Sequence, residues 1–174
     1  MSGFIKWIDS LNTKDRKIRA VLRRSLAFDP GAFPVAFPYV EPFVKNEGDS
    51  WRREMHYLVA GLWALHWREG LPGVPMFLGK ASAAHRNSQK GSESTERRFI
   101  AVLDSDQDQL HHRMRQMIAL LKDYSLDFEN VLQGLICWND DRKRTQNQWA
   151  RDFYKNIKDE NESKPETKLT GEAA

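Results

Sequence analysis

Cysteine is almost absent from the sequence, with Cys137 as its single copy among 174 residues. One cysteine cannot form an internal disulfide, and the N-terminus lacks the basic, apolar and small-residue order of a secretory signal, so we expect a cytoplasmic protein. Cys137 lies in the apolar run LQGLICW. Because free cysteines are commonly buried, this position favours a buried small hydrophobe over a nucleophile or a metal ligand.

Long hydrophobic runs are missing as well. The best candidate, residues 58–65, contains Gly61 and is much shorter than the roughly 20 apolar residues that a bilayer crossing needs. We therefore expect no membrane partner. The hydrophobic fraction of 40%, with six Trp and nine Phe, still suffices for a core in one domain or in two small helical subdomains.

The sequence also lacks the patterns that mark common catalytic and metal sites. It has no HExxH motif and no cysteine pair, and the adjacent His111 and His112 would point about 100° apart on a helix. The GLPGV and FLGKAS segments have neither P-loop spacing nor a preceding strand, and no nucleophile elbow is present. We predict a protein that is not an enzyme and that uses no metal and no cofactor.

What the sequence does contain is apolar residues at helical spacing. Two amphipathic helices are predicted near the N-terminus, and a long core helix is predicted to begin at Asp49 or Ser50 and to end at Gly70. Four further helices with short links follow: Ser94 or Thr95 opens the first, Asp127 caps the third, and Asn139 or Asp140 caps the last. The predicted fold class is all-α: an N-terminal helical part, residues 1–92, plus a C-terminal four-helix bundle, residues 93–157.

Three segments interrupt this helical pattern. Prolines recur every fourth residue through residues 28–46, which excludes a continuous helix and predicts an irregular aromatic strap. Residues 71–95 are predicted to be a loop with one helical turn near residues 80–84. The tail, residues 158–174, has one large apolar residue, three lysines and five acids, and we expect it to be disordered.

Positive charge belongs to the part of the chain that is expected to fold. The net charge of the whole chain is +3, and without the tail it is +5. No acidic residue lies within the segment 16–24, which contains four arginines, and such crowding favours a polyanionic partner over an ordinary solvated face. Further basic pairs fall in predicted first turns, where the helix dipole disfavours cations and where backbone N–H groups can hold phosphate.

Taken in order, the segments ERRFIAVLDSD, LHHRMRQMIALLKD and LDFENVLQGLICWNDDRKRTQNQWARDFY resemble the small subunit of type I-E CRISPR Cascade complexes, the CasB family. The upstream IRAVLRRSL helix, the proline and aromatic strap, ALHW and FLGKAS extend the resemblance to about residues 10–155.

That resemblance implies an all-helical, non-enzymatic protein that sits as a pair along the crRNA–protein backbone and holds target DNA during R-loop formation. The partners it implies are the large and backbone Cascade subunits, crRNA, target DNA and a second copy of the chain. A helical protein–protein adaptor and a helix-turn-helix regulator remain as alternatives. By matching segment, the implied nucleic-acid-binding residues are Arg19, Arg23, Arg24, Arg97, Arg98, Arg142 and Lys143.

Overall fold

The computed structural model describes residues 3–88 and 92–158. In this part of the chain nine α-helices and one 3₁₀ turn follow each other. The helices are α1 Phe4–Lys14, α2 Lys17–Ser25, α3 Phe37–Val44, α4 Ser50–His66, α5 Leu78–Asn87, α6 Ser92–Leu103, α7 Gln107–Leu120, α8 Phe128–Ile136 and α9 Arg144–Asn156, with the 3₁₀ turn Pro34–Ala36 before α3.

The predicted all-α fold class is confirmed. No β-sheet forms within residues 3–88 and 92–158, where the only extended pairing is an isolated parallel bridge between Met76 and Leu126. Met76 N donates to Ser125 O at 2.9 Å, and Asp127 N donates to Met76 O at 2.9 Å. The bridge fastens the segment after α4 to the link between α7 and α8.

Aspartate side chains fix the starts of three helices. The carboxylates of Asp49, Asp106 and Asp127 accept hydrogen bonds from backbone N–H groups three residues ahead, at 2.8 to 2.9 Å, and so satisfy donors that have no partner inside the helix. The caps predicted for Asp49 and Asp127 are confirmed. Such caps set where α4, α7 and α8 begin.

Helix α4 lies at the centre of the molecule and is buried over most of its length. It packs against α2, α3, α7 and α8. Gly61 permits the close approach of α2, because a Cβ atom at this position would lie 2.6 Å from Leu26 Cδ2. Leu22 and Leu26 therefore sit against the middle of α4, while Arg19 reaches Trp67 just beyond its end. The two helices run antiparallel.

Two predicted irregular segments contain helices. The segment 71–95 contains the ten-residue α5 instead of a single turn, because α5 gains its stability from packing against α9 and α6. The prediction that no continuous helix runs through the strap, residues 28–46, is confirmed. The strap nevertheless contains the short helix α3. Pro38 lies at the start of α3, where no backbone donor is needed, and α3 includes Pro42 while burying Val40 and Val44.

The two predicted helical parts share one hydrophobic core. Helix α4 packs against α7 and α8, and α5 packs against α9 and α6, so contacts cross the proposed boundary between residues 92 and 93. The division into an N-terminal helical part, residues 1–92, and a C-terminal bundle, residues 93–157, stays a prediction. Four helices do follow α5, as the sequence pattern indicates. Apart from Lys158, the predicted disordered tail lies outside the described residues.

Candidate nucleic-acid interface

The seven predicted binding residues lie on three separate elements. Six of them are exposed, and Arg19 is half-buried. Helix α2 carries Arg19, Arg23 and Arg24, helix α6 carries Arg97 and Arg98, and the turn between α8 and α9 carries Arg142 and Lys143.

Helix α2 separates its apolar and basic residues onto opposite faces. Ile18 and Leu22 are fully buried against the core, whereas Arg23 and Arg24 are exposed in the last turn, where the helix dipole favours cations. Among the described residues, neither arginine takes part in an ion pair, since the salt bridges there involve other side chains. Both guanidinium groups are thus available to an anionic partner.

Arg19 differs from these two neighbours. Its guanidinium carbon lies 3.7 Å from the centroid of the Trp67 ring, and its Nε atom is buried without a hydrogen-bond partner in the described part of the chain. A cation held over an aromatic face gains electrostatic stabilisation from the ring. Arg19 therefore packs α2 onto the end of α4, and only the exposed part of its guanidinium can face a ligand.

Arg115 of α7 lies next to the arginines of α2, although it is not among the binding residues predicted from the sequence. Its Nη1 atom donates to Leu26 O at 3.4 Å, just after α2, and the side chain is exposed. We call Arg23, Arg24 and Arg115 the α2 basic surface. The signal in the sequence was the cluster HHRMR, but only the packing of α2 and α7 around α4 brings Arg115 next to α2.

The sequence predicts Arg97 and Arg98 in the first turn of α6, and this prediction is wrong. The helix includes Ser92, two residues before the predicted start, so both arginines lie in its second turn. Burial lowers the pKa of His85, and the nearby charge of Arg98 lowers it further, while Asp123 opposes the shift. Asp123 Oδ1 also lies 3.3 Å from Arg68 Nη1. Arg98 thus lies within electrostatic range of His85 on α5.

Arg142 and Lys143 also lie elsewhere than predicted. The expected cap at Asn139 or Asp140 is wrong, because α9 begins at Arg144 after Lys143 adopts a left-handed conformation with φ of 49°. The Asp140 carboxylate instead accepts from Arg142 N at 3.3 Å and pairs with Arg144 Nε at 2.5 Å. Its pKa is lowered, chiefly by this hydrogen bond from Arg144.

Acidic side chains surround this turn. Lys143 lines a depression together with Asp106, Asp140 and Asp141, next to Ser105 at the end of α6. Ser105 is seven residues after Arg98, which corresponds to about 10 Å along a helix axis. Lys143 therefore lies among acids instead of beside another predicted basic cluster in this depression, and the local acids weaken the positive potential there.

Two further side chains of types that can carry chemistry, His66 and Cys137, differ in burial. His66 Nε2 lies 2.8 Å from Tyr124 O, and burial, the larger influence, lowers its pKa despite this hydrogen bond. Cys137 is exposed, contrary to the sequence interpretation. Leu135 faces the core, and two residues of helical rotation turn Cys137 about 200° away from it.

The described residues contain neither a metal cluster nor a membrane span. In residues 3–88 and 92–158, no group of three or more His, Cys, Asp or Glu side chains is arranged to hold a metal ion. Within the same ranges, none of the helices combines the length and the apolar character that a membrane crossing requires.

Known proteins share both the sequence and the fold. The family model of the CRISPR-associated protein Cse2 matches residues 18–154. The CRISPR-associated protein Cse2 of Thermus thermophilus is 42% identical over 168 residues, which cover 94% of this chain and 95% of that protein.

Solved structures are similar at the level of the whole chain. The crystal structure of a Cse2-family protein from Thermus thermophilus superposes with a TM-score of 0.79 at 40% identity, covering 87% of this chain and 96% of that one. M. ruber CasB gives a TM-score of 0.75 at 33% identity, with 88% and 92% covered. A chain of a CRISPR RNA-guided surveillance complex has the same fold, with a TM-score of 0.77 at 20% identity and 89% and 91% covered.

The matched residues include α2, the strap, α4 and nearly all of the four C-terminal helices, which are the segments whose order resembles the CasB family. Both the identity to the Thermus protein and the length of the match exceed what shared helical composition alone would give. The chain belongs to the CRISPR-associated Cse2 (CasB) family.

Proposed function

We propose that the protein is the non-catalytic small subunit of a type I-E Cascade complex, an RNA-guided antiviral surveillance complex that works in the cytoplasm. In this complex it binds and stabilises target DNA strands along the crRNA during R-loop formation. Family membership across residues 18–154 supports the assignment, together with the fold shared with a chain of a surveillance complex. The proposed partners are the large and backbone subunits, crRNA, target DNA and a second copy of the chain.

The α2 basic surface is the observation that carries this proposal. It presents Arg23, Arg24 and Arg115 to solvent, and among the described residues none of the three is held in an ion pair. Guanidinium groups bind phosphate oxygens well and do so without reading sequence. This suits a complex in which base pairing with a guide RNA supplies the specificity.

The other predicted residues rank below this surface. Arg97 and Arg98 are exposed and form a second proposed phosphate contact on α6. Arg142 and Lys143 stay in the proposal as weaker contacts, because Asp140 and nearby acids offset their charge.

The alternative is a helical protein–protein adaptor that does not touch nucleic acid. Exposed apolar side chains in and next to the strap favour it, in particular Val35 and Phe37, because such side chains are enriched where proteins meet. The two functions make different demands on the α2 basic surface, since an adaptor needs no free guanidinium groups there.

Reconstitution of the complex separates the two functions. We would assemble the complex from crRNA and the other subunits with wild-type protein, with Arg23→Ala/Arg24→Ala, or with Arg151→Ala/Lys155→Ala. The last variant is a control that also removes two positive charges, but from α9, where Arg151 and Lys155 are exposed. We expect all three complexes to assemble, and only the α2 variant to form R-loops at least about tenfold less readily, because it cannot make two of the phosphate contacts. Unchanged R-loop formation in the α2 variant would favour the adaptor.

A further inference from the structure

Two aromatic side chains form a stacked pair directly after α2. The rings of Phe28 and Phe33 have centroids 4.8 Å apart and an interplanar angle of 10°. Phe33 is partly buried and packs against the core, whereas Phe28 remains 44% exposed. Because Phe33 stacks on one face of the Phe28 ring, a ligand can reach that ring only at its other face or its edge. Phe33 thus supports a partly exposed aromatic side chain from the core side.

This stacked pair adjoins the α2 basic surface. The guanidinium carbon of Arg24 lies 5.9 Å from the centroid of the Phe33 ring. Phe28 N donates to Ser25 O at 3.1 Å in the turn that follows the helix, so Phe28 lies about one turn beyond Arg24. Arg115 donates to Leu26 O in the same turn.

The acidic residue nearest to Phe28 in the sequence is Asp29, which immediately follows it and is exposed. Its carboxylate would repel a phosphate placed close to it. A polyanion that reaches Phe28 is therefore expected to contact Arg24 and Arg115 rather than the segment that begins at Asp29.

An apolar ring beside several cations suits one class of ligand better than the others. A hydrophobic protein segment would satisfy the ring but would leave the guanidinium groups without anionic partners. Duplex DNA would satisfy the guanidinium groups, but its bases are already stacked and are not available to the ring. A single strand offers both phosphates and unpaired bases, and proteins that bind single strands combine cations with aromatic platforms.

We propose that Phe28, supported by Phe33, stacks against an unpaired base of single-stranded nucleic acid while Arg23, Arg24 and Arg115 contact the adjoining phosphates. This proposal rests on the proposed function and adds to it a base-contacting residue. Stacking of this kind tolerates any sequence, because every base has a π face. Phe28 therefore strengthens binding without selecting a target.

Two probes separate the ring from the cations. One is an oligothymidine strand of about 15 nucleotides, which is near the upper end of the site sizes of single-strand-binding folds. The other is an abasic strand of the same length, which keeps the phosphates and lacks the bases. Fluorescence anisotropy of the full chain at low salt would give the affinity of wild-type protein, Phe28→Ala, Phe28→Tyr and Arg23→Ala/Arg24→Ala. Phe77→Ala is the matched control, because Phe77 is 48% exposed next to α5.

We expect Phe28→Ala to weaken oligothymidine binding at least about fivefold and to leave binding of the abasic strand unchanged. Phe28→Tyr should restore the wild-type affinity, and Phe77→Ala should match wild type on both probes. Equal oligothymidine affinity of Phe28→Ala and wild type would overturn the stacking proposal, even if the arginine variant bound neither probe. If wild-type protein bound neither probe, the proposed function itself would fail, and the stacking proposal with it.

Discussion

The guanidinium of Arg19 lies over the ring of Trp67 at 3.7 Å, whereas Arg23, one turn further along α2, is exposed. Two arginines on one basic helix therefore have different roles. Arg19 joins α2 to the segment that follows α4, and Arg23 contributes its charge to the surface. The helical spacing that placed both in one basic segment could not distinguish them, because Trp67 is 48 residues away in the sequence.

Replacing Arg19 should therefore affect stability. We expect Arg19→Ala to lower the free energy of unfolding by about 1 kcal/mol, because the variant lacks both the cation–π interaction and the packing of the arginine stem. Arg23→Ala on the same helix should change it by less than about 0.5 kcal/mol, as is usual for exposed positions. Urea denaturation followed by circular dichroism measures both values. Equal values for the two variants would contradict the different roles.

His66 makes the stability of the fold depend on pH. Burial lowers the pKa of His66 below its ordinary value of 6.5, so between the two pKa values the unfolded chain binds more protons than the folded one. The stability that depends on neutral His66 should therefore be complete above about pH 6.5. The free energy of unfolding should fall as the pH drops below that value. The pKa values of His56 and His85 are also lowered, mainly by burial, and act in the same direction.

The variant that tests this role of His66 is His66→Gln, which retains a donor for the carbonyls of Leu121 and Tyr124 but does not titrate. Its free energy of unfolding should depend less steeply on pH between about pH 7 and about pH 5, by at most about 1.4 kcal/mol per pH unit for one proton. His112→Gln, at an exposed position, is the control and should keep the wild-type slope. A wild-type slope in His66→Gln would show that His66 does not link folding to pH.

Gly79 permits the close packing of α5 on α9. A Cβ atom at this position would collide with the carbonyl oxygen of Trp149 and would lie 2.9 Å from Asp152 Cβ. Since the carbonyl oxygen belongs to the backbone of α9, the two helices would have to separate. We expect Gly79→Ala to lower the free energy of unfolding by at least about 2 kcal/mol.

Gly48→Ala is the matched control for Gly79, because a Cβ atom at Gly48 meets nothing within 4 Å. We expect Gly48→Ala to leave the thermal unfolding midpoint nearly unchanged or to raise it slightly. A similar thermal unfolding midpoint for Gly79→Ala and wild type would contradict this prediction, because it would mean that α5 and α9 move apart without loss of stability.

The sequence predicted the helical class and most helix positions because apolar spacing and aspartate caps are local signals. Asp49 and Asp127 act as the predicted caps. The missed helices depend on distant partners instead. Helix α5 has little apolar pattern of its own, and Gly79, which resembled a loop glycine in the sequence, is needed for its close approach to α9.

The binding surface was only partly predictable for the same reason. Arg23 and Arg24 follow from the two faces of one helix. The contribution of Arg115 depends on α7 packing beside α2, and the acids around Lys143 come partly from the link between α6 and α7. The apolar neighbours of Cys137 predict a buried position, but Cys137 lies at the end of α8 on the side away from buried Leu135 and is exposed.

The salt dependence of single-strand binding tests most directly whether the α2 basic surface binds phosphates. For each phosphate that the protein no longer neutralises, the slope of log affinity against log salt should become shallower by about 0.7. We therefore expect Arg23→Ala/Arg24→Ala to bind more weakly and with a slope reduced by about 1.4, while Arg151→Ala/Lys155→Ala keeps the wild-type slope. Equal affinity and equal slope in the α2 variant and wild type would contradict phosphate binding by this surface.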